Sequence, residues 1–302
     1  TEVGTYGHTI LRGPDSRYLL LKHDSYGGEH DHYDRLGVSY MAYGEPVARD
    51  LGTTGYGARM HYDYYKNTAS HNTLAIGEEN QPPVNGTLTR YEEREGAVYV
   101  EAEADWTAPY EMPDSFTIVQ WSEENYKTVK MRRKIIWTDR YWIDVFLADG
   151  VPENLYSDWI FHIIGEKIEE KTDSVKTDGK ELPPDYFVKK PLKYLHDARM
   201  HTIDSGSVYK NVYQTGGCRT SIYGMGNGQT VITAKGPDNP SVQELNYLLE
   251  RRTGERVLAV HIIESWKEEE VIKGVSFQTD GKRFNIEIQE TAGKKEYTVH
   301  LC

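Results

Sequence analysis

A dense series of short runs that alternate apolar and polar residues constrains this chain more than any other feature. In "AVYVEAEADW" (97–106), Val98, Val100, Ala102 and Ala104 fall on one face, and Tyr99, Glu101, Glu103 and Asp105 on the other. "TVKMRRKIIW" (128–137) repeats the pattern, and "YWIDVFLADG" (141–150) and "YSDWIFHIIG" (156–165) follow across turn-forming residues. The runs "TVITAKG", "ERVLAVHIIESW", "VIKGVSFQTDGKRFNIEIQ" and "KEYTVHL" carry it to the C-terminus. Successive side chains of a strand point to opposite faces, so a period of two belongs to half-buried strands. Asp280-Gly281 lies between two such runs, and Asn85-Gly86 is a second hairpin signal, since these pairs accept the positive φ of tight hairpin turns. Many short strands punctuated by Gly and Pro predict an all-β chain, a large antiparallel β-sandwich.

The 302 residues suffice for one large domain or two of ordinary size. A soft boundary falls near "DSGSVYK", giving 1–205 as a central sandwich that carries the chemistry and 206–302 as a smaller C-terminal β domain. "NPSVQELNYLLERRTG" (239–254) reads either as a helix capped at Ser241 or as an edge strand with a turn at Pro240. "KTDSVKTDGKELPPDYFVKKP" (171–191) is polar and Pro-bearing, which reads as a surface excursion. "GMGNGQ" (224–229) has no following Lys-Ser and no strand–helix setting, so it is a turn and not a phosphate loop.

Several function classes drop out. A net charge of −12 disfavours nucleic-acid partners, which need a basic face. No apolar stretch reaches the roughly 18 residues of a membrane span, and "TEVGTYGHTILRG" does not read as a signal peptide. Cys218 and Cys302 have no metal-ligand spacing and imply no disulfide framework.

The chemistry concentrates near the N-terminus. "GGEHDHYDRLG" (27–37) holds His30, His32 and Asp34 at alternate positions, so on an extended segment they look the same way. Asp50 ends the apolar run before "LGTTGYG", and His71 starts another in "YYKNTASHNTLAIG". Two imidazoles and a carboxylate at strand margins suit zinc, with a fourth position left for water. A polar sheet edge with hydrogen-bonded histidines is the competing reading, and for Asp50 alone a turn carboxylate is favoured. His162, in "DWIFHI", is a core or sheet histidine on this pattern.

The blocks "GGEHDHYDRLGVSYMAYGEPVARDLGTTGYG" and "YYKNTASHNTLAIG" resemble the signature of the heparinase II/III-like polysaccharide lyases, a group that includes heparin, heparan and oligoalginate lyases. An H-x-H-x-D start, a strand ending G-x-P-x-x-x-D-x-G and a T-A-x-H-N-T block occur in order between about residues 18 and 83. The resemblance implies an N-terminal (α/α) toroid, absent from these residues, followed by supersandwich-like antiparallel β domains, with the substrate cleft between them. It implies structural zinc on His32, Asp50 and His71, and His30 facing the uronate. An acid–base tyrosine would come from the helical domain. Tyr56 matches a substrate-contacting tyrosine of alginate-cleaving relatives, ahead of Tyr62, Tyr64 and Tyr65. Arg59 reads as a solvated loop residue, and Asn72 as a turn residue or a support for the His71 loop. The implied activity is β-elimination on an acidic polysaccharide or oligosaccharide, incomplete without the helical domain, in the periplasm or outside the cell. A non-catalytic carbohydrate-binding sandwich is the alternative from another class. A metal hydrolase is a third reading, weakened because the chain lacks alternating strands and helices.

Overall fold

A computed structural model describes residues 2–3, 7–94, 96–108, 120–168 and 179–301. These residues form four antiparallel sheets. The first is a meander of Glu2–Val3, His8–Gly13, Arg17–Lys22, Val38–Ala42 and Glu45–Ala48. An eight-stranded sheet runs Glu166–Ile168, Val208–Thr215, Cys218–Met225, Arg256–Trp266, Tyr141–Asp149, Lys130–Thr138, Ala97–Asp105, Gly86–Arg94. A six-stranded sheet runs Lys180–Glu181, His196–Thr202, Thr230–Pro237, Glu244–Thr253, Tyr156–Ile163, Leu74–Ile76. Ile272–Thr279, Arg283–Glu290 and Gly293–His300 make the fourth.

Sequence periodicity decides which faces meet. Along Tyr141–Asp149, Trp142, Phe146 and Ala148 join the central core shared with the first and third sheets. Tyr141, Ile143, Val145 and Leu147 pack against Ile286, Ile288 and Phe284 of the three-stranded sheet. Both faces are covered, so this strand reads as a nearly continuous apolar run. Strands with one wet face, such as Ala97–Asp105, keep the alternation. Fully burying one such large side chain contributes about 1.5–3 kcal/mol.

The segment 239–254 is neither a helix nor an edge strand. Glu244–Thr253 lies inside the six-stranded sheet, paired on both sides. Leu245, Tyr247 and Leu249 enter one core and Leu248 the other, and apolar residues at consecutive positions imitate a helical stripe. The 171–191 stretch is also corrected in part. Residues 171–178 lie outside the described residues, but Leu182 and Phe187, with Leu192 and Leu195 just beyond the stretch, are buried against the six-stranded sheet. The boundary expected near residue 205 falls at a turn inside the sandwich. Strand Arg256–Trp266 pairs with Tyr141–Asp149, and Glu244–Thr253 pairs with Tyr156–Ile163. The unit with a sheet of its own begins at Ile272. Cys302 lies outside the described residues, and Cys218 is a buried free thiol. No helix among the described residues is long and apolar enough to cross a membrane.

Candidate active site

Residues 23–36 leave the first sheet and return to the same point. Lys22 N–H donates to Gly37 O (2.9 Å), and Leu36 N–H donates to Lys22 O (3.1 Å). Inside this loop most of the acids are consumed by two cations. Lys22 Nζ reaches Asp31 Oδ1 (2.8 Å) and Asp34 Oδ1 (2.7 Å), while the buried Arg35 pairs with Asp24 and Asp31. Desolvation opposes ionisation of Asp31, but Arg35 and Lys22 outweigh it and push its carboxyl down to about 2. The polar run at 27–37 is therefore largely an ion-paired loop. Its remaining groups, His30, His32 and the second oxygen of Asp34, are left to face a cleft.

Two further segments meet the loop. Asp50 follows strand Glu45–Ala48, its N–H bonded to Ser39 Oγ (3.1 Å) and its Oδ1 accepting Gly52 N–H (2.7 Å). His71 follows the 3₁₀ turn Thr68–Ser70, which Thr68 Oγ1 anchors to Tyr33 O at 2.6 Å. His71 Nδ1 lies 2.8 Å from Asp50 Oδ2 and 4.0 Å from Asp34 Oδ2. Its Nε2 lies 3.3 Å from His32 Nδ1. Asp34, Asp50 and His71 each offer a donor atom within 4.8 Å of the others. His71 is buried, whereas the Asp50 side chain is 43 % exposed to the cleft.

Charges follow this geometry. Desolvation lowers the His71 pKa, but Asp50 and then Asp34 more than reverse it. Desolvation works against the Asp50 carboxylate, and His71 with the Gly52 N–H holds its carboxyl well below the ordinary range. Desolvation, reinforced by the neighbouring His71, pushes His32 down to about 4, so His32 is neutral near pH 7. Without a metal, the His71 proton faces Asp50, and Asp34 is shared with the Lys22 ammonium. A divalent cation would fit the same donor set, two carboxylate oxygens and an imidazole nitrogen, with oxygen and nitrogen ligands that zinc accepts.

The expected trio of His32, Asp50 and His71 is together, but the His71 ring divides it. Asp50 and Asp34 share Nδ1, and His32 meets Nε2. Asp34 was legible as a same-face neighbour of His32 without a ligand role.

The cleft encloses about 420 Å³ and is lined by His8, Lys22, His30, His32, Asp34 and Asp50, among others. At its rim the exposed His30 pairs through Nδ1 with the Tyr56 hydroxyl at 2.6 Å. Tyr56 is 53 % exposed, and its ring meets His61 edge-on at 5.0 Å. His61, which carried no role in the sequence, is fixed by Thr53 Oγ1 at 2.7 Å and stands 6.1 Å from the His32 ring. Nothing in the spacing around His61 signals this, because the π-helical turn His61–Tyr65 brings it in. The other tyrosines of that turn divide. Tyr62 is half-buried against His61. Tyr64 bonds Tyr247 and Pro237 O, and Tyr65 bonds Asp238 O, so both are structural. Arg59 is exposed as expected, but it lies in the helical turn that leads into His61–Tyr65 and not in a loop, and it pairs with Asp63 at 2.8 Å. Asn72 and His162 lie behind the site: Asn72 Nδ2 donates to Val38 O (3.1 Å), and His162 is fully buried.

The profile of the family described as heparinase II/III-like, C-terminal, matches residues 3–207. Among solved structures, a heparinase III gene product is 14 % identical with a TM-score of 0.64, covering 99 % of this chain and 43 % of its own. The heparan sulfate lyase HepC of Pedobacter heparinus is 11 % identical with a TM-score of 0.65, covering 98 % and 41 %. At these identities the likeness is one of fold. This chain spans less than half the length of either structure. No curated protein sequence matches it.

Proposed function

The chain belongs to the heparinase II/III-like family, and from that premise we propose that it forms the β-sandwich wall of a lyase cleaving uronate-containing glycans by β-elimination. The observation that carries this reading is the His30–Tyr56 hydrogen bond at the rim of a cleft lined by Asp34 and Asp50, with His71 buried behind them.

In β-elimination a base removes the C5 proton of the uronate, the electron pair forms the C4–C5 double bond, and the C4–O bond breaks. The leaving oxygen takes up a proton. The C5 proton is weakly acidic while the adjacent carboxylate keeps its full charge, so a donor aimed at that carboxylate stabilises the enolate-like intermediate. His30 is this donor. Tyr56, hydrogen-bonded to it, is the phenol of this chain that exchanges a proton with the sugar, and such groups supply about 10²–10⁴-fold. Lys22 also lines the cleft, but its charge is shared between Asp31 and Asp34.

The carboxylates that line the cleft with His30, Asp34 shared with Lys22 and Asp50 partly open to the cleft, would still disfavour an anionic sugar. Zinc held by Asp50 and His71, with Asp34 or His32, would neutralise them and lock the loop that presents His30. A second acid–base group and the opposite wall belong to a helical N-terminal domain.

The test is turnover of uronate glycans by the full-length protein, read by absorbance of the unsaturated product. His30→Ala and Tyr56→Phe are expected to lower kcat by about 10²–10⁴-fold, and residues 1–302 alone to turn over very weakly. Unchanged kcat in His30→Ala would leave a carbohydrate-binding sandwich as the reading.

A further inference from the structure

Behind the cleft, one strand residue touches the chain next to both Asp50 and His71. The ladder between Tyr156–Ile163 and Leu74–Ile76 ends where Ile160 N–H donates to Thr73 O (2.9 Å). At the next rung the side chain of Asn72 replaces the main chain, and its Oδ1 accepts the N–H of His162 at 2.7 Å. The same carboxamide donates to Val38 O (3.1 Å) and Ala48 O (3.4 Å), reaching the two first-sheet strands that lead to Asp50. The imidazole of His162 crosses to the other side, where its Nε2 lies 2.7 Å from Arg49 O.

The chemistry of that contact is unambiguous. A carbonyl only accepts, so Nε2 carries the proton and Nδ1 is left bare. His162 Nδ1 has no partner and the residue is fully buried. A buried lone pair without a donor costs free energy. It is tolerated here in exchange for one fixed tautomer aimed at one carbonyl.

We propose that His162 is a positioning residue for the cation site. Through its main-chain N–H it holds the side chain of the residue after His71, and through the side-chain Nε2–H it holds the carbonyl of the residue before Asp50, so one residue ties the two ligand segments together and its imidazole fixes the Asp50 side. Asn72 is the second half of this clamp. The inference rests on the metal reading above, and it adds residues that contact no metal and no sugar.

The experiment measures zinc affinity of the full chain by competition with a chromophoric chelator, for wild type, His162→Leu, His162→Gln and Phe161→Leu. All are measured well below their thermal midpoints, with folding checked by circular dichroism. Gln reaches with an N–H where His presents Nε2–H. Phe161 is in the same strand but enters the central core, so its variant reports what destabilisation alone does. Wild type is expected to bind zinc, His162→Leu to bind about 10–100-fold more weakly, His162→Gln to recover most of the loss, and Phe161→Leu to bind as wild type. If wild type binds and His162→Leu binds equally well, or Phe161→Leu weakens binding as much, the positioning role is overturned while the metal reading stands. If wild type binds no zinc, both fall.

Discussion

Asp34 Oδ2 lies 4.0 Å from His71 Nδ1, the nitrogen that also meets Asp50, whereas His32 meets the opposite nitrogen of the same ring. One imidazole nitrogen binds one ion. A cation at Nδ1 would therefore take Asp34 and Asp50 as companions, the first of the two alternatives above, and would leave His32 behind the ring as a hydrogen-bond partner that fixes its tautomer. Asp34→Asn is expected to cost more zinc affinity than His32→Ala, whose loss should stay within about 10–100-fold, as for outer partners. Competition titrations rank the two. The reverse order would return His32 to the ligand set.

The ion pair under the site sets its stability. Arg133 and Asp144, both fully buried, meet at 2.8 Å (Nε–Oδ1) and 2.7 Å (Nη2–Oδ2). Arg133 Nη1 also donates to Leu36 O (2.7 Å) and Asn72 O (2.6 Å), one on each side of the ligand cluster. Arg133→Met strands a buried carboxylate and should cost about 3–5 kcal/mol in urea unfolding. The double variant Arg133→Met/Asp144→Leu should regain part of that loss, since no charge is then buried alone. A double variant as unstable as the single one would mean that the two carbonyl contacts, and not the pair, dominate.

How far the site was legible follows from which interactions have a local signature. The strands 97–105, 130–138, 141–149 and 156–163 were readable because period two survives in sequence. Strand 244–253 was not, because burial on both faces erases the alternation. His30, His32, Asp50 and His71 stood out as residue types at strand margins. The roles of Asp34, Lys22 and Arg35 depend on which acid each cation captures, and charge spacing alone does not settle that in a loop holding four acids beyond Lys22, Asp24, Glu29, Asp31 and Asp34. The pattern around His162 marks a core or sheet histidine, and its burial matches. Its partner Arg49 O lies 113 residues away, and such a contact leaves no pattern in sequence.

Gly150 ends strand Tyr141–Asp149 at φ +77°, and a Cβ built there would fall 1.9 Å from Thr128 O. Ala at this position meets both an unfavourable backbone region and a main-chain atom that cannot swing aside. Gly150→Ala should destabilise the protein by more than about 1 kcal/mol, read as a lower urea midpoint with unchanged slope. Gly281→Ala is the control, because its φ is +83° but no atom lies within 4 Å. It should show the backbone cost alone. Equal losses in the two variants would rule out the clash.

Glu264 links the sandwich to the three-stranded sheet. It is 1 % exposed, and its carboxylate accepts the N–H groups of Val271 (2.6 Å) and Ile272 (3.0 Å). Burial lifts its carboxyl from 4.5 to about 7, against the pull of those two N–H groups and with help from Glu270. The folded-state value lies above the unfolded one, so folding binds the proton more tightly. This contribution to stability is full below about pH 4.5 and is lost as pH rises through about 7. It amounts to at most about 3 kcal/mol between those limits. Glu264→Gln cannot titrate, so its unfolding free energy should change less between about pH 5 and pH 8 than that of wild type. Urea unfolding at both values measures the difference. Equal slopes against pH would place the loss of stability in another group and leave Glu264 as a permanently ionised acceptor for the 271–272 turn.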